Sequence, residues 1–147
     1  MAAKEELAKL FNQALELEQA ARIQYLSHAE IVDGLEAEPI IERLKEIAGD
    51  EEKHEGMFRQ LLGNYLAAVP SMKLAETYGA KTIKEILEVN LAGEKHAVDV
   101  YLGILKKLGE MRDELKYEYF QLEHTLRHVI GEEQEHIAEI KLLLGQK

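Results

Sequence analysis

The sequence predicts an all-α protein, a bundle of four long helices with a long crossover between the second and the third. Three observations carry that expectation. Apolar residues recur at a period near 3.5 in four separate stretches, and no stretch alternates as a strand would. The run between the second and third stretches has no period of its own and is far longer than a tight turn.

The first helix is expected over roughly 4–32, with Leu7, Phe11, Ala14, Glu18, Ala21 and Tyr25 on one face. The stretch "DGLEAEP" breaks it, because Gly34 and the residue before Pro39 both disfavour continuing a helix. A second helix runs to about Leu66, with Ile40, Leu44, Ile47, Glu51, His54, Phe58 and Leu61 along its stripe. The third, roughly 81–108, carries Ile83, Leu87, Asn90, Glu94, Ala97, Tyr101, Ile104 and Leu108, and Gly109 is expected to close it. The fourth, roughly 113–144, carries Leu122, Leu126, Val129, Glu133, His136, Ile140 and Leu143 before Gly145. Four amphipathic helices of similar length bury their stripes against one another. Between the second and third helices, "AAVPSMKLAETYGA" supplies about 13 extended residues, a reach of roughly 40 Å or nearly one bundle length. It is therefore read as a crossover joining two parallel helices.

Composition sets the class. The 147 residues suit one domain spanning 1–147, and 46% apolar with 31% charged residues suits a packed helical chain. A net charge of −10 argues against nucleic acid and anionic membranes as partners and attracts cations. The opening "MAAKEELAKL" reads as a helix start and no apolar run would span a bilayer, so a cytoplasmic location is the default expectation. With no cysteine, the chain has no disulfide, iron–sulfur cluster, thiolate zinc site or thiol nucleophile.

Each helix interrupts its oily face with a carboxylate: Glu18, Glu51, Glu94 and Glu133. The second and fourth add a histidine one turn on, His54 and His136, and residues three apart on a helix point the same way. Four buried carboxylates without partners repel one another and either incur a heavy desolvation penalty or take up protons. Two divalent cations would cancel their charge. Oxygen and imidazole donors without thiolate suit iron or manganese, with zinc a competent alternative. The chain also repeats itself: "EQAARIQYL" (18–26) aligns with "EKHAVDVYL" (94–102), and "GDEEKHEGMFRQLLG" (49–63) with "GEEQEHIAEIKLLLG" (131–145). Two similar helix pairs facing each other would build a pseudo-symmetric two-metal site.

The pattern Glu18, Glu51-x-x-His54, Glu94, Glu133-x-x-His136 resembles the ferritin-like di-iron carboxylate superfamily, in particular its bacterioferritin and rubrerythrin branches, over essentially the whole chain. The resemblance implies a ferritin-like bundle in which Glu18 and His54 hold one iron, Glu94 and His136 the other, and Glu51 and Glu133 bridge them. It also shows departures. Glu52 stands where bacterioferritins place a haem-ligating methionine, so no haem is expected. Only eleven residues follow His136, too few for a fifth cage-type helix. Ala97 stands where rubrerythrins usually add a glutamate, and their cysteine-ligated module is absent.

Among neighbouring residues, Tyr25 and Tyr101 each sit two turns beyond a helix-leading glutamate, as hydrogen-bond donors, redox-active phenols or large core aromatics. Asp50 and Glu132 precede the bridging glutamates and are expected to accept from the outer ring N–H of His136 and His54 respectively. Asn90 either bonds the site or is a peripheral buried polar group, and His28, His96, His124 and His128 are read as surface or rim residues. The resemblance implies a rubrerythrin-like oxidoreductase in which two iron ions reduce O2 or hydrogen peroxide, drawing on Fe(II) or an external electron donor, with a role in oxidative stress. The alternatives are a ferroxidase or storage subunit and a metal-stabilised bundle without turnover. A homodimer is expected.

Overall fold

Four α-helices, a π-helical turn and no strand make up the regular structure of residues 3–147, the part of the chain that this computed structural model describes. Met1 and Ala2, included in the expected 1–147 domain, lie outside the described residues. The helices are α1 (Ala3–Ala29), α2 (Ala37–Gln60), α3 (Ile83–Glu110) and α4 (Tyr119–Leu144), with the π-helical turn Leu61–Tyr65 continuing α2.

Local chemistry explains most of the ends. Gly34, at φ +102°, lets the chain reverse between α1 and α2. The α3 start is a capping box, in which the Glu85 N–H donates to the Thr82 hydroxyl and Thr82 N–H donates to the Glu85 carboxylate. Gly145 ends α4 in the left-handed conformation, with Gln146 N–H donating to Lys141 O over 2.8 Å. Some ends differ from the sequence reading. The α3 helix runs past Gly109 to Glu110, and α4 starts at Tyr119 rather than near 113. Residues 111–118 instead coil in successive turns, because Leu115 N–H bonds back to Met111 O and Tyr119 N–H to Leu115 O. That path buries Met111 and Leu115 as a plug at the end of the bundle. Leu143 also departs from the expected stripe and is 44% exposed.

The four helices form two antiparallel hairpins, α1 with α2 and α3 with α4, and the hairpins meet chiefly along α1 and α3. Gln24 bonds Asn90 while Tyr101 bonds Glu18, so α1 and α3 run antiparallel. The crossover therefore returns along the bundle and makes α2 and α3 parallel, as expected. It lies along α1, held by a ladder of polar side chains. Asn12 binds Val69 O and Ser71 N, Glu16 takes the Ser71 hydroxyl, Gln19 donates to Lys73 O, and Gln24 accepts from Tyr78 N.

The interior falls into two apolar clusters. One, with Leu7, Phe11, Phe58, Tyr101, Ile104, Leu108 and Leu126, fills the end where α1 begins. The other, with Tyr25, Leu44, Ile47, Ile86, Leu87 and Ile140, fills the opposite end. Each large side chain buried there contributes about 1.5–3 kcal/mol. Between the clusters lies a layer that is polar and equally buried.

Candidate metal centre

That layer consists of Glu18, Glu51, His54, Glu94, Glu133 and His136, all buried, the most exposed reaching only 2%. Each helix supplies its members from the same stripe that packs the two clusters, so burying the leucines on either side carries the acids inward. Their donor atoms form two overlapping groups, Glu18–Glu51–His54–Glu133 and Glu51–Glu94–Glu133–His136, within which the atoms lie no more than 4.8 Å apart. Glu51 and Glu133 belong to both. The two imidazoles lie side by side with centroids 6.4 Å apart.

Both histidines are held from outside. His54 donates from Nε2 to Glu132 over 2.7 Å, and His136 donates from Nε2 to Asp50 over 2.9 Å. These are the acceptors expected from the sequence, crossed between α2 and α4. Each acid fixes its ring so that Nδ1 faces inward. From there His54 Nδ1 bonds Glu18 Oε1 over 2.7 Å. His136 Nδ1 lies 2.7 Å from Glu94 Oε2 yet out of hydrogen-bond alignment with it.

Many inward atoms have no hydrogen-bond partner: both oxygens of Glu51, both of Glu133, Glu94 Oε2 and His136 Nδ1. Leaving one buried polar group unpaired costs on the order of 1–3 kcal/mol, and more for a charged one. Six such atoms converging on one point is the arrangement that cations satisfy. Hard oxygens with two imidazoles fit iron, manganese or zinc, so the residues present fit a two-metal group.

Without metal the cluster keeps itself tolerable by holding protons. Burial raises Glu18 to about 7, with the Glu133 charge adding to it. Glu51 and Glu94 are pushed well above the carboxylate range, by burial first and then by neighbouring carboxylates. Burial lowers the histidines, but the facing carboxylates of Glu133 and of Glu18 or Glu94 outweigh it and raise both to about 11. Burial likewise raises Glu133, but the close approach of His136, His54 and Glu51 wins and holds it below its ordinary range. In the metal-free layer these shifts favour protons on both imidazoles and on Glu51 and Glu94, with the negative charge held on Glu133.

The two tyrosines differ despite their matching sequence positions. Tyr101 donates to Glu18 Oε2 over 2.5 Å and so fixes that carboxylate. The Tyr25 hydroxyl is fully buried and has no partner in hydrogen-bond alignment. Burial, followed by the charges of Glu94, Glu51 and Glu133, raises its pKa well above 10 and keeps it a donor.

A cavity of about 160 Å³ opens on the α1–α3 side, lined by Tyr25 and all four inward glutamates and covered by crossover residues Ala75, Glu76 and Tyr78. It lies opposite the histidine-bearing pair α2 and α4. Asn90 lines it but bonds Gln24, His28 and Ile86 O rather than the glutamates. His28 is not a rim residue: it is buried and bonded to Asn90 and Tyr78, whereas His96, His124 and His128 are exposed. Its position one turn beyond Tyr25 on the α1 stripe was the available signal. Glu55 is a further buried acid, closed on by Arg22 and Arg59 between α1 and α2.

Residues 8–147 match the protein family described as Ferritin-like domain. No curated protein sequence matches the chain. Among solved structures it is similar to a ferritin-like, diiron-carboxylate protein from Bacillus anthracis str. Ames, at 21% identity over 98% of this chain and 99% of that one, with a TM-score of 0.89. It is also similar to the dodecameric thioferritin, a bacterioferritin-related protein, from Bacteroides fragilis, at 20% identity over 97% and 86%, TM-score 0.82. A third is the bacterioferritin of Rhodobacter capsulatus, at 22% identity over 97% and 85%, TM-score 0.83.

Proposed function

Because the chain belongs to the Ferritin-like domain family, we propose that its buried layer holds two iron ions and reduces O2 or hydrogen peroxide as an oxidoreductase of the rubrerythrin-like class. The observation that carries this reading is the pair of overlapping donor groups sharing Glu51 and Glu133, whose four oxygens lack any other partner.

In this reading Glu18 and His54 hold one ion, Glu94 and His136 the other, and Glu51 and Glu133 lie between. When bound, two ferrous ions supply the two electrons that, with two protons, take hydrogen peroxide to two waters. The chain supplies the rest. Asp50 and Glu132 take the outer N–H of each imidazole and keep its Nδ1 lone pair directed inward. Tyr101 holds Glu18 by its second oxygen, and the apolar clusters exclude bulk water from both ends. Tyr25, a neutral phenol at the cavity wall, is placed to donate a hydrogen bond to an entering oxidant.

The test is stopped-flow mixing of the anaerobic Fe(II) form with O2 and with hydrogen peroxide. Rapid oxidation supports the oxidoreductase reading. Bound iron that reacts with neither oxidant would leave a metal-stabilised bundle without turnover. A second reading, a ferroxidase and storage subunit for which iron is the substrate, draws support from the fold shared with a bacterioferritin. Particle size and iron capacity separate it from the first. Glu52 is exposed and has no thioether, so neither reading includes a haem held at that position.

A further inference from the structure

We propose that Gln24, His28 and Asn90 are specificity-determining residues: by pinning Tyr78 they hold the crossover as a roof over the α1–α3 cavity and limit which oxidants reach the glutamates. The proposal rests on the oxidoreductase reading and names the size class that this site admits.

The roof's attachment is a closed ring of hydrogen bonds that begins and ends on one residue. Tyr78 N–H can only donate, and it donates to Gln24 Oε1 over 2.7 Å. Gln24 must then turn its Nε2 to Asn90 Oδ1, 2.9 Å away. Asn90 in turn has only its Nδ2 left, which donates to Ile86 O over 2.8 Å and to His28 Nδ1 over 3.0 Å. His28 accepts at Nδ1, so its proton sits on Nε2 and donates to Tyr78 O over 2.9 Å. Flipping either amide would set donor against donor, so two backbone groups of Tyr78 dictate every orientation. Asn90 and His28 are both buried, which raises the cost of leaving any of these groups unpaired.

Beyond the ring, the crossover is tied to α1 at Lys73 O and Ala75 N. Between these anchors and Tyr78, Glu76 lines the cavity from the crossover. Below it are Gly93, Ala97, Ala20 and Ala21, small residues that leave the space open, and the unpartnered Tyr25 hydroxyl. A cavity of about 150 Å³ takes a benzene ring, and this one is about 160 Å³. Dioxygen and hydrogen peroxide pass easily. Cumene hydroperoxide adds a branched carbon and a peroxide to such a ring, so its entry is what the roof would limit most.

The experiment compares wild type with Gln24→Ala, a half-buried position whose truncation spares the core. Two readouts are taken. In metal-free protein, deuterium uptake at the Tyr78 amide should rise about tenfold, the effect of losing one or two hydrogen bonds. In the Fe(II) form, the ratio of oxidation rates with cumene hydroperoxide and with hydrogen peroxide should rise by a similar factor. His28→Leu, at the other end of the ring, should do the same. His28→Gln, which keeps one donor and one acceptor, should stay near wild type. Faster exchange with an unchanged ratio would overturn the roof as a selector, and unchanged exchange would overturn the ring as its attachment. Should no peroxide oxidise any form, the rate ratio reads nothing, and the oxidoreductase reading falls only if O2 oxidises none of them either. The roof is then judged by the anaerobic rate at which a bulky phenanthroline strips Fe(II), with equal rates in wild type and Gln24→Ala overturning it.

Discussion

Glu51 and Glu133 show what a single side chain contributes here, since each belongs to both donor groups while Glu18 and Glu94 each belong to one. Glu51→Ala or Glu133→Ala should therefore abolish binding of both metals, and Glu18→Ala or Glu94→Ala should weaken mainly one. Metal titration followed by elemental analysis reads this directly, and single-metal losses in all four variants would contradict the shared role. Asp50 and Glu132 act through the rings they hold. Asp50→Asn and Glu132→Gln should lower metal affinity about 10–100-fold, measured by calorimetric titration, while the melting curve of the metal-free form moves little. Metal binding must also expel the protons of two imidazoliums and several neutral acids, so affinity should rise with pH. The same shifts predict the stability of the metal-free protein. Glu18, raised to about 7, stabilises the fold fully below its ordinary 4.5, and this contribution disappears as pH rises through 7. The histidines, raised to about 11, stabilise it fully below 6.5 and lose that contribution as pH climbs toward 11. Glu133 runs the other way, its contribution lost as pH falls through its depressed value. Melting temperature of the metal-free form should thus decline steadily from pH 5 to pH 9, and an increase over that range would refute the protonated layer.

Helix ends and connections carry the local strain. The chain leaves α2 through the π-helical turn Leu61–Tyr65 and then passes Ala67 at φ 51°, a left-handed conformation for a residue with a Cβ. Such a residue costs roughly 1–2 kcal/mol. Ala68 N–H, bonded to Leu62 O over 2.9 Å, holds the chain there while it turns into the crossover. Ala67→Gly removes the clash and returns part of the gain as backbone entropy, so a net stabilisation of about 0.5–1 kcal/mol is expected by urea unfolding. A loss of stability would mean that this turn is not strained. The crossover is fastened to α1 largely by side-chain hydrogen bonds, with Val69, Met72 and Leu74 facing solvent.

For the molecule as a whole, the polar layer divides the core, and metal binding ties both hairpins across the division. Binding restricted to the native state adds about 4 kcal/mol at a thousandfold excess over the dissociation constant. For a chain of this length that corresponds to a melting shift on the order of 10 °C. Chelation should reverse it, and an unchanged melting curve after confirmed metal loss would argue that the layer binds nothing in solution. We propose a homodimer, with the exposed Ile23 and Leu26 of α1 and Ile31 just beyond its end as an apolar face for it. Light scattering should then report about twice the 16.7 kDa chain mass. A particle of several hundred kilodaltons that keeps many irons per chain soluble would favour the storage reading instead.

The helices, the crossover and the six inward residues were legible in the chain because they obey local rules. Stripe positions share a face whatever the partner, and a Glu-x-x-His pair on a stripe is carried inward along with its leucines. Asp50 and Glu132 could be named as acceptors because each immediately precedes a glutamate that the fold carries inward. The rest depended on pairings between distant segments. His28 meets Asn90 and Tyr78, 62 and 50 residues away, so although its place on the α1 stripe hints at burial, its partners are set only by the fold. The two-fold repeat likewise suggests that Tyr25 and Tyr101 are equivalent. In the folded chain Tyr101 donates to Glu18, whereas Tyr25 faces the cavity beneath the crossover. The crossover passes along α1 without a symmetric counterpart, so packing breaks an equivalence that the repeat alone preserves.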